Sequence, residues 1–153
     1  MPAVSCVPFA PPPLGALLRS VLFIDEKLDD LYPYVRTLKR EGYDVRGCPS
    51  CAEAAVCLES ETFDLVIVSQ GSRDFEWRFL LERAIGIDRR RPVLVITDCV
   101  DMHCYLDAMW FGATDYLEKP RSPEELLKIV RMFLPPVAAE RVEATVHSDL
   151  TTP

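Results

Sequence analysis

Three short runs of purely apolar residues, each followed by a stretch with helical spacing, constrain this chain more than any other feature. Val21-Leu22-Phe23-Ile24, Leu65-Val66-Ile67-Val68 and Val93-Leu94-Val95-Ile96 contain no polar residue. Strands of this kind read as buried on both faces. Two weaker strand signals, Asp44 to Gly47 and Asp115 to Glu118, complete a set of five. Helical patterns separate all of them, which points to parallel pairing, since a parallel neighbour is reached only by a crossover.

The spacing predicts strands at 21–25, 44–47, 64–69, 93–97 and 115–118. A helix is expected at 28–41, where Leu28, Leu31, Val35 and Leu38 recur with helical period and Gly42 ends the pattern. Ser50-Cys51-Ala52-Glu53 is a capping box opening a second helix, with Ala54, Ala55 and Leu58 inward, to about Glu61. Two more helices are expected at 76–86 and 101–111. Ser122-Pro123-Glu124-Glu125 combines a capping box with proline at the first helical position. The helix it opens turns Leu126, Leu127, Val130, Phe133 and Leu134 inward. Right-handed crossovers then give an α/β three-layer fold, a doubly wound five-stranded parallel sheet of flavodoxin-like form. Residues 1–18, with Pro2, Pro8 and Pro11-Pro12-Pro13, are expected to be a flexible extension. Residues 19–134 form the expected domain and 135–153 a disordered tail.

Twenty-four acidic against 17 basic side chains leave a net charge of −7, the opposite of a nucleic-acid footprint. The one basic run, Arg89-Arg90-Arg91, is expected to lie in a solvated loop. No apolar segment is long enough to span a bilayer, and the N-terminus lacks the charged start of a signal peptide, so the cytoplasm is the expected location. The six cysteines are expected as reduced thiols, because a chain of 153 residues can build an ordinary core. Cys48-Pro49-Ser50-Cys51 has C-x-x-C spacing, with Cys57 following on the same helix. A zinc or redox site would need further ligands, and Cys99, His103 and Cys104 follow a strand expected to lie too far away. His103 and Asp107, four apart on one helix, are expected to pair.

In a parallel α/β sheet, ligands collect outside the carboxyl ends of the strands. The residues expected there are Asp25-Glu26, Ser69, Thr97 and Lys119-Pro120. In this order, with Gly112-Ala113-Thr114-Asp115-Tyr116 leading into the last strand, residues 19–134 resemble a response-regulator receiver domain. The resemblance implies a role in two-component phosphorelay signalling. It implies an acidic pocket at Asp25 and Glu26 that holds Mg²⁺, phosphate contacts at Thr97 and Lys119, and a switch aromatic at Tyr116. Oxygen ligands suit Mg²⁺ and a lysine suits phosphate. Lys119–Pro120 is a candidate cis bond.

The chain departs from that pattern at three places. Ser69 stands where the resemblance implies the phosphoacceptor aspartate, and a neutral alcohol without an adjacent base is a poor nucleophile. It also supplies no anionic metal ligand, so weak Mg²⁺ binding at most is expected and no cofactor is assigned. Arg73 stands where relatives often carry a proline. Asp98 follows Thr97 where relatives usually carry a small residue, so Asp98, or the loop carboxylate Asp74, is expected to pair with Lys119 as a phosphate mimic. The helix 101–111 is apolar nearly all round, and Met102, Tyr105, Met109 and Trp110 are the expected partner surface.

The expected protein is therefore a stand-alone pseudo-receiver without catalytic residues, acting through phosphorylation-independent protein contact. Its expected partners are a sensor kinase, a downstream regulator, or a second copy through helix 101–111 and strand 115–118. Neither nucleic acid nor membrane is expected as a partner. Two rivals remain at this level: a receiver phosphorylated at a non-standard site, and a small-ligand module at the sheet switch point.

Overall fold

A computed structural model describes residues 18–137. Strands β1 (Ser20–Ile24), β2 (Asp44–Cys48), β3 (Leu65–Ser69), β4 (Val93–Thr97) and β5 (Asp115–Glu118) alternate with five helices. These are α1 (Leu28–Arg40), α2 (Cys51–Ser60), α3 (Trp77–Ile87), α4 (Met102–Trp110) and α5 (Pro123–Phe133). The sheet is parallel throughout, in the order β2-β1-β3-β4-β5. This is the doubly wound, flavodoxin-like sandwich that the alternation predicts. The expected extension and tail lie almost wholly outside the described residues.

Why the central strands are apolar without alternation is visible in how their side chains divide. Leu22, Ile24, Val66, Val68, Val93 and Val95 pack beneath α2, α3 and α4 in one core. Val21, Phe23, Leu65, Ile67, Leu94 and Ile96 pack beneath α1 and α5 in the other. Successive residues of a strand point to opposite faces, so two covered faces demand two apolar sets.

Local chemistry sets the helix starts. The hydroxyls of Ser50 and Ser122 accept from the amides of Glu53 and Glu125, each at 3.2 Å, and Asp101 accepts from Cys104 at 3.0 Å. Each cap satisfies one amide that the first turn leaves unpaired. Some expectations need correction. Leu28 is exposed, and Tyr34 and Thr37 join Leu31 and Leu38 in the buried stripe of α1. Arg91 is buried rather than solvated, and its guanidinium donates to the Ala84 carbonyl at 2.9 Å. Asp107 pairs with Arg78 of α3 at 2.8 Å, not with His103, because the α3 guanidinium reaches it directly. No peptide bond among the described residues is cis. None of the described helices is long and apolar enough to cross a membrane.

Candidate functional site at the carboxyl ends of the strands

Register brings the candidate residues together. Ile24 pairs with Val68, so Asp25 and Ser69 follow side by side as β1 and β3 end. Ser69 pairs with Ile96, which places Thr97 next, and the Lys119 amide donates to the Thr97 carbonyl at 2.7 Å. Asp25, Ser69 and Thr97 are all buried polar residues at the end of an apolar sheet.

Lys119 organises the site. Its ammonium lies 2.8 Å from Asp25 Oδ2, 2.9 Å from Asp30 Oδ2 and 3.8 Å from Asp98 Oδ2. Asp25 is fully buried, and its other oxygen accepts from the Lys27 amide at 3.0 Å. The Asp25–Lys119 approach is a close ion contact without hydrogen-bond alignment, whereas Lys119 donates a true hydrogen bond to Asp30. Burial pushes the Asp25 carboxyl above the ordinary carboxylate range, although Lys119 pulls the other way. Burial also works against the Lys119 ammonium, but Asp25 and Asp30 outweigh it and hold its pKa above the usual lysine value.

Asp98 thus reaches Lys119, but at the outer edge of ion-pair distance and from an exposed position. Its nearer partner is Lys27, at 3.2 Å. The carboxylate that shares Lys119 with Asp25 is Asp30, from the first turn of α1. No sequence motif singles it out, except that it is one of two acids beginning an otherwise apolar-striped helix. Asp74, the other candidate, is exposed.

Glu26 turns away from this cluster toward the β3–α3 loop. One of its oxygens accepts the Ser72 amide and the other accepts the Ser72 hydroxyl at 3.2 Å. The loop itself needs glycine. Gly71 has φ +67°, and a Cβ there would meet the Phe75 ring at 2.8 Å. The donor set does not fit a resident Mg²⁺. Asp25 is engaged by an ammonium, Glu26 by Ser72, and Ser69 has no charge. No group of three metal-ligating side chains converges among the described residues. Four carboxylates and two ammoniums leave the cleft negative, which opposes an incoming phosphate.

Tyr116 faces inward and is buried. Its hydroxyl donates to Gln70 Oε1 at 2.5 Å and accepts from the Asp101 amide at 3.3 Å. Its ring meets Tyr105 edge-on, centroids 5.9 Å apart. Burial raises the phenol's pKa. The Thr97 hydroxyl is taken up locally, donating to the Cys99 carbonyl at 2.9 Å and accepting the Cys99 amide at 3.2 Å.

Helix α4 has one buried residue, Ala108. Met102, Tyr105, Leu106, Met109 and Trp110 are exposed, Trp110 by 85%. The cysteines among the described residues form no common site. Cys48 lies 3.5 Å from Cys57, sulfur to sulfur, rather than beside Cys51. Burial, with the Cys57 thiol beside it, pushes the Cys48 thiol up to about 12. Two strands, β1 and β3, separate β2 from β4 and so keep Cys99 and Cys104 apart from it.

A five-stranded sheet in this order, with an acidic residue after β1 and a lysine after β5, defines a domain of the response-regulator receiver class. Comparisons with known proteins agree. The chain is 31% identical over 114 residues to the phosphoglycerate transport system transcriptional regulatory protein PgtA of Salmonella typhimurium, covering 72% of this chain and 27% of that protein. It is 31% identical over 119 residues to the transcriptional regulatory protein GltR of Pseudomonas aeruginosa, covering 76% and 49%. The chain thus spans between about a quarter and a half of the curated relatives it matches. No protein-family model matches it. Among solved structures, a CheY-like response regulator receiver domain protein from Methanospirillum hungatei superposes with a TM-score of 0.70 at 23% identity, covering 82% of this chain and 98% of that one. A Burkholderia pseudomallei response regulator with a phosphorylated aspartic acid, calcium ion and citrate superposes with a TM-score of 0.67 at 22% identity, covering 84% and 74%. The chain carries a response-regulator receiver domain.

Proposed function

We propose that this receiver domain acts in two-component signalling as a pseudo-receiver, whose conformation is set by its own contacts and by protein partners rather than by phosphotransfer. The observation that carries this reading is Ser69, a buried neutral alcohol at the end of β3, at the same end of the sheet as a lysine already shared by two carboxylates. An acyl phosphate needs a carboxylate, and the carboxylate that follows β1 next to Ser69, Asp25, is engaged by Lys119 and the Lys27 amide. The ammonium that would grip an incoming phosphoryl group must first release Asp25 and Asp30. Glu26 must likewise release Ser72 before it can ligate a metal.

In this reading the output is the exposed apolar face of α4. Met102, Tyr105, Met109 and Trp110 offer the aromatic and thioether surface that interfaces favour. A sensor kinase, a downstream regulator or a second copy of the chain would dock there. The test is incubation with a small-molecule phosphodonor and Mg²⁺, followed by intact-mass measurement. The chain is expected to keep its unmodified mass under conditions that phosphorylate an ordinary receiver. A stable gain of one phosphoryl group, at any residue, refutes the proposal.

A further inference from the structure

We infer that Gln70, the residue after Ser69, is a positioning residue that latches Tyr116 inward and thereby sets where α4 begins. The inference rests on the phosphorylation-independent reading above and supplies its regulatory device. The Tyr116 hydroxyl has two partners, and they belong to different elements. It donates to the side-chain amide oxygen of Gln70 at the end of β3, and it accepts the backbone amide of Asp101 at the start of α4. One phenol oxygen thus ties the strand that carries Ser69 to the helix that carries the exposed apolar face.

Asp101 is also the N-cap of α4, with its carboxylate on the Cys104 amide. Besides that cap, the helix is held by the Arg78–Asp107 ion pair to α3 and by half-buried Cys104. Ala108 is its one buried residue, and Tyr105 adds an edge-on ring contact with Tyr116 itself. Two of the contacts that position α4 therefore run through Tyr116. The Gln70 oxygen is what occupies the phenol proton.

A nitrogen or oxygen acceptor is needed on residue 70 because the phenol is buried, and a buried hydroxyl without an acceptor is unfavourable. Gln70 is half-buried, so its amide can reach inward while water satisfies the rest. The Thr97 hydroxyl, bound to the Cys99 backbone, also lies near enough to the phenol to stabilise its charged form, while the acceptor of the phenol proton is Gln70. The arrangement holds the tyrosine inward with an amide dipole contributed by the chain itself, and it requires no phosphoryl group.

The test uses the full chain without phosphodonor or metal, with nuclear magnetic resonance reading ring contacts of Tyr116 and the backbone amides of 101–110. In Gln70→Leu the ring is expected to lose its contacts to Tyr105 and to the Asp101 amide, and the α4 amides are expected to shift. Gln70→Glu keeps an acceptor oxygen and is expected to retain both. Tyr116→Phe keeps the ring but not the hydroxyl, and should shift the α4 amides as Gln70→Leu does. The inference is overturned if Gln70→Leu keeps Tyr116 in place, if Gln70→Glu releases it equally, or if Tyr116→Phe leaves α4 unmoved. Its failure is distinct from failure of the pseudo-receiver reading, which only the phosphodonor experiment can overturn.

Discussion

A lysine shared between a fully buried carboxylate and a half-buried one is the pivot of the site. Lys119 leaves Asp25 with a charge partner in a place where an isolated carboxylate would be strongly disfavoured. Removing one partner of such a pair costs more than the pair itself contributes, because the remaining charge stays buried. Lys119→Met is therefore expected to destabilise the domain by about 3 kcal/mol at neutral pH, measured by urea unfolding. The pH dependence has a definite sign. Burial raises the Asp25 pKa above its ordinary 3.8, so protonation is favoured more in the folded chain than in the unfolded one. Such a group contributes stability that is fully present below the unfolded pKa and is lost as pH rises through the folded value. With the lysine gone that rise is larger, and the variant should recover part of its loss as the pH falls from neutral toward the ordinary carboxylate range. A Lys119→Met chain equally stable across that range would show that Asp25 finds another partner.

Helices in this fold are held by what they bury, and α4 buries least. Its cap at Asp101 and the single buried Ala108 contrast with α3, where Trp77, Leu80, Leu81 and Ala84 all enter the core. Exposed side chains away from caps and contacts rarely change stability by more than about 0.5 kcal/mol, so Trp110→Ala should leave the unfolding midpoint nearly unchanged. Ala108→Leu should instead cost about 1–3 kcal/mol by overpacking the one point where α4 meets the core. Chemical denaturation of both variants checks the contrast. Conserved-looking rules of local preference also yield to burial in α1. Pro33 lies inside that helix, where it removes one backbone hydrogen bond, yet Leu31, Tyr34 and Leu38 keep the segment helical against the sheet.

At the scale of the whole molecule, charge limits partners more than shape does. The net charge of −7 argues against non-specific binding to a phosphate backbone. Fluorescence anisotropy with duplex DNA at about 0.1 M salt is expected to show no binding, and saturable binding there would contradict this. The architecture itself was legible in the primary structure. Val21 to Ile24, Leu65 to Val68 and Val93 to Ile96 are apolar at every position, which announces two covered faces, and the caps at Ser50 and Ser122 mark where helices start. The strand-end residues Asp25, Ser69, Thr97 and Lys119 were legible too, because each follows or ends a strand. Their partners were not. Lys119 meets Asp30 across 89 positions of chain and Tyr116 meets Gln70 across 46, and Asp98 turns chiefly to Lys27. Periodicity records which side of an element is buried, since burial acts on every residue of that side alike. Which acid or amide a buried lysine or phenol finally meets depends on side-chain reach and rotamer across separate elements, and that is decided only when the layers close.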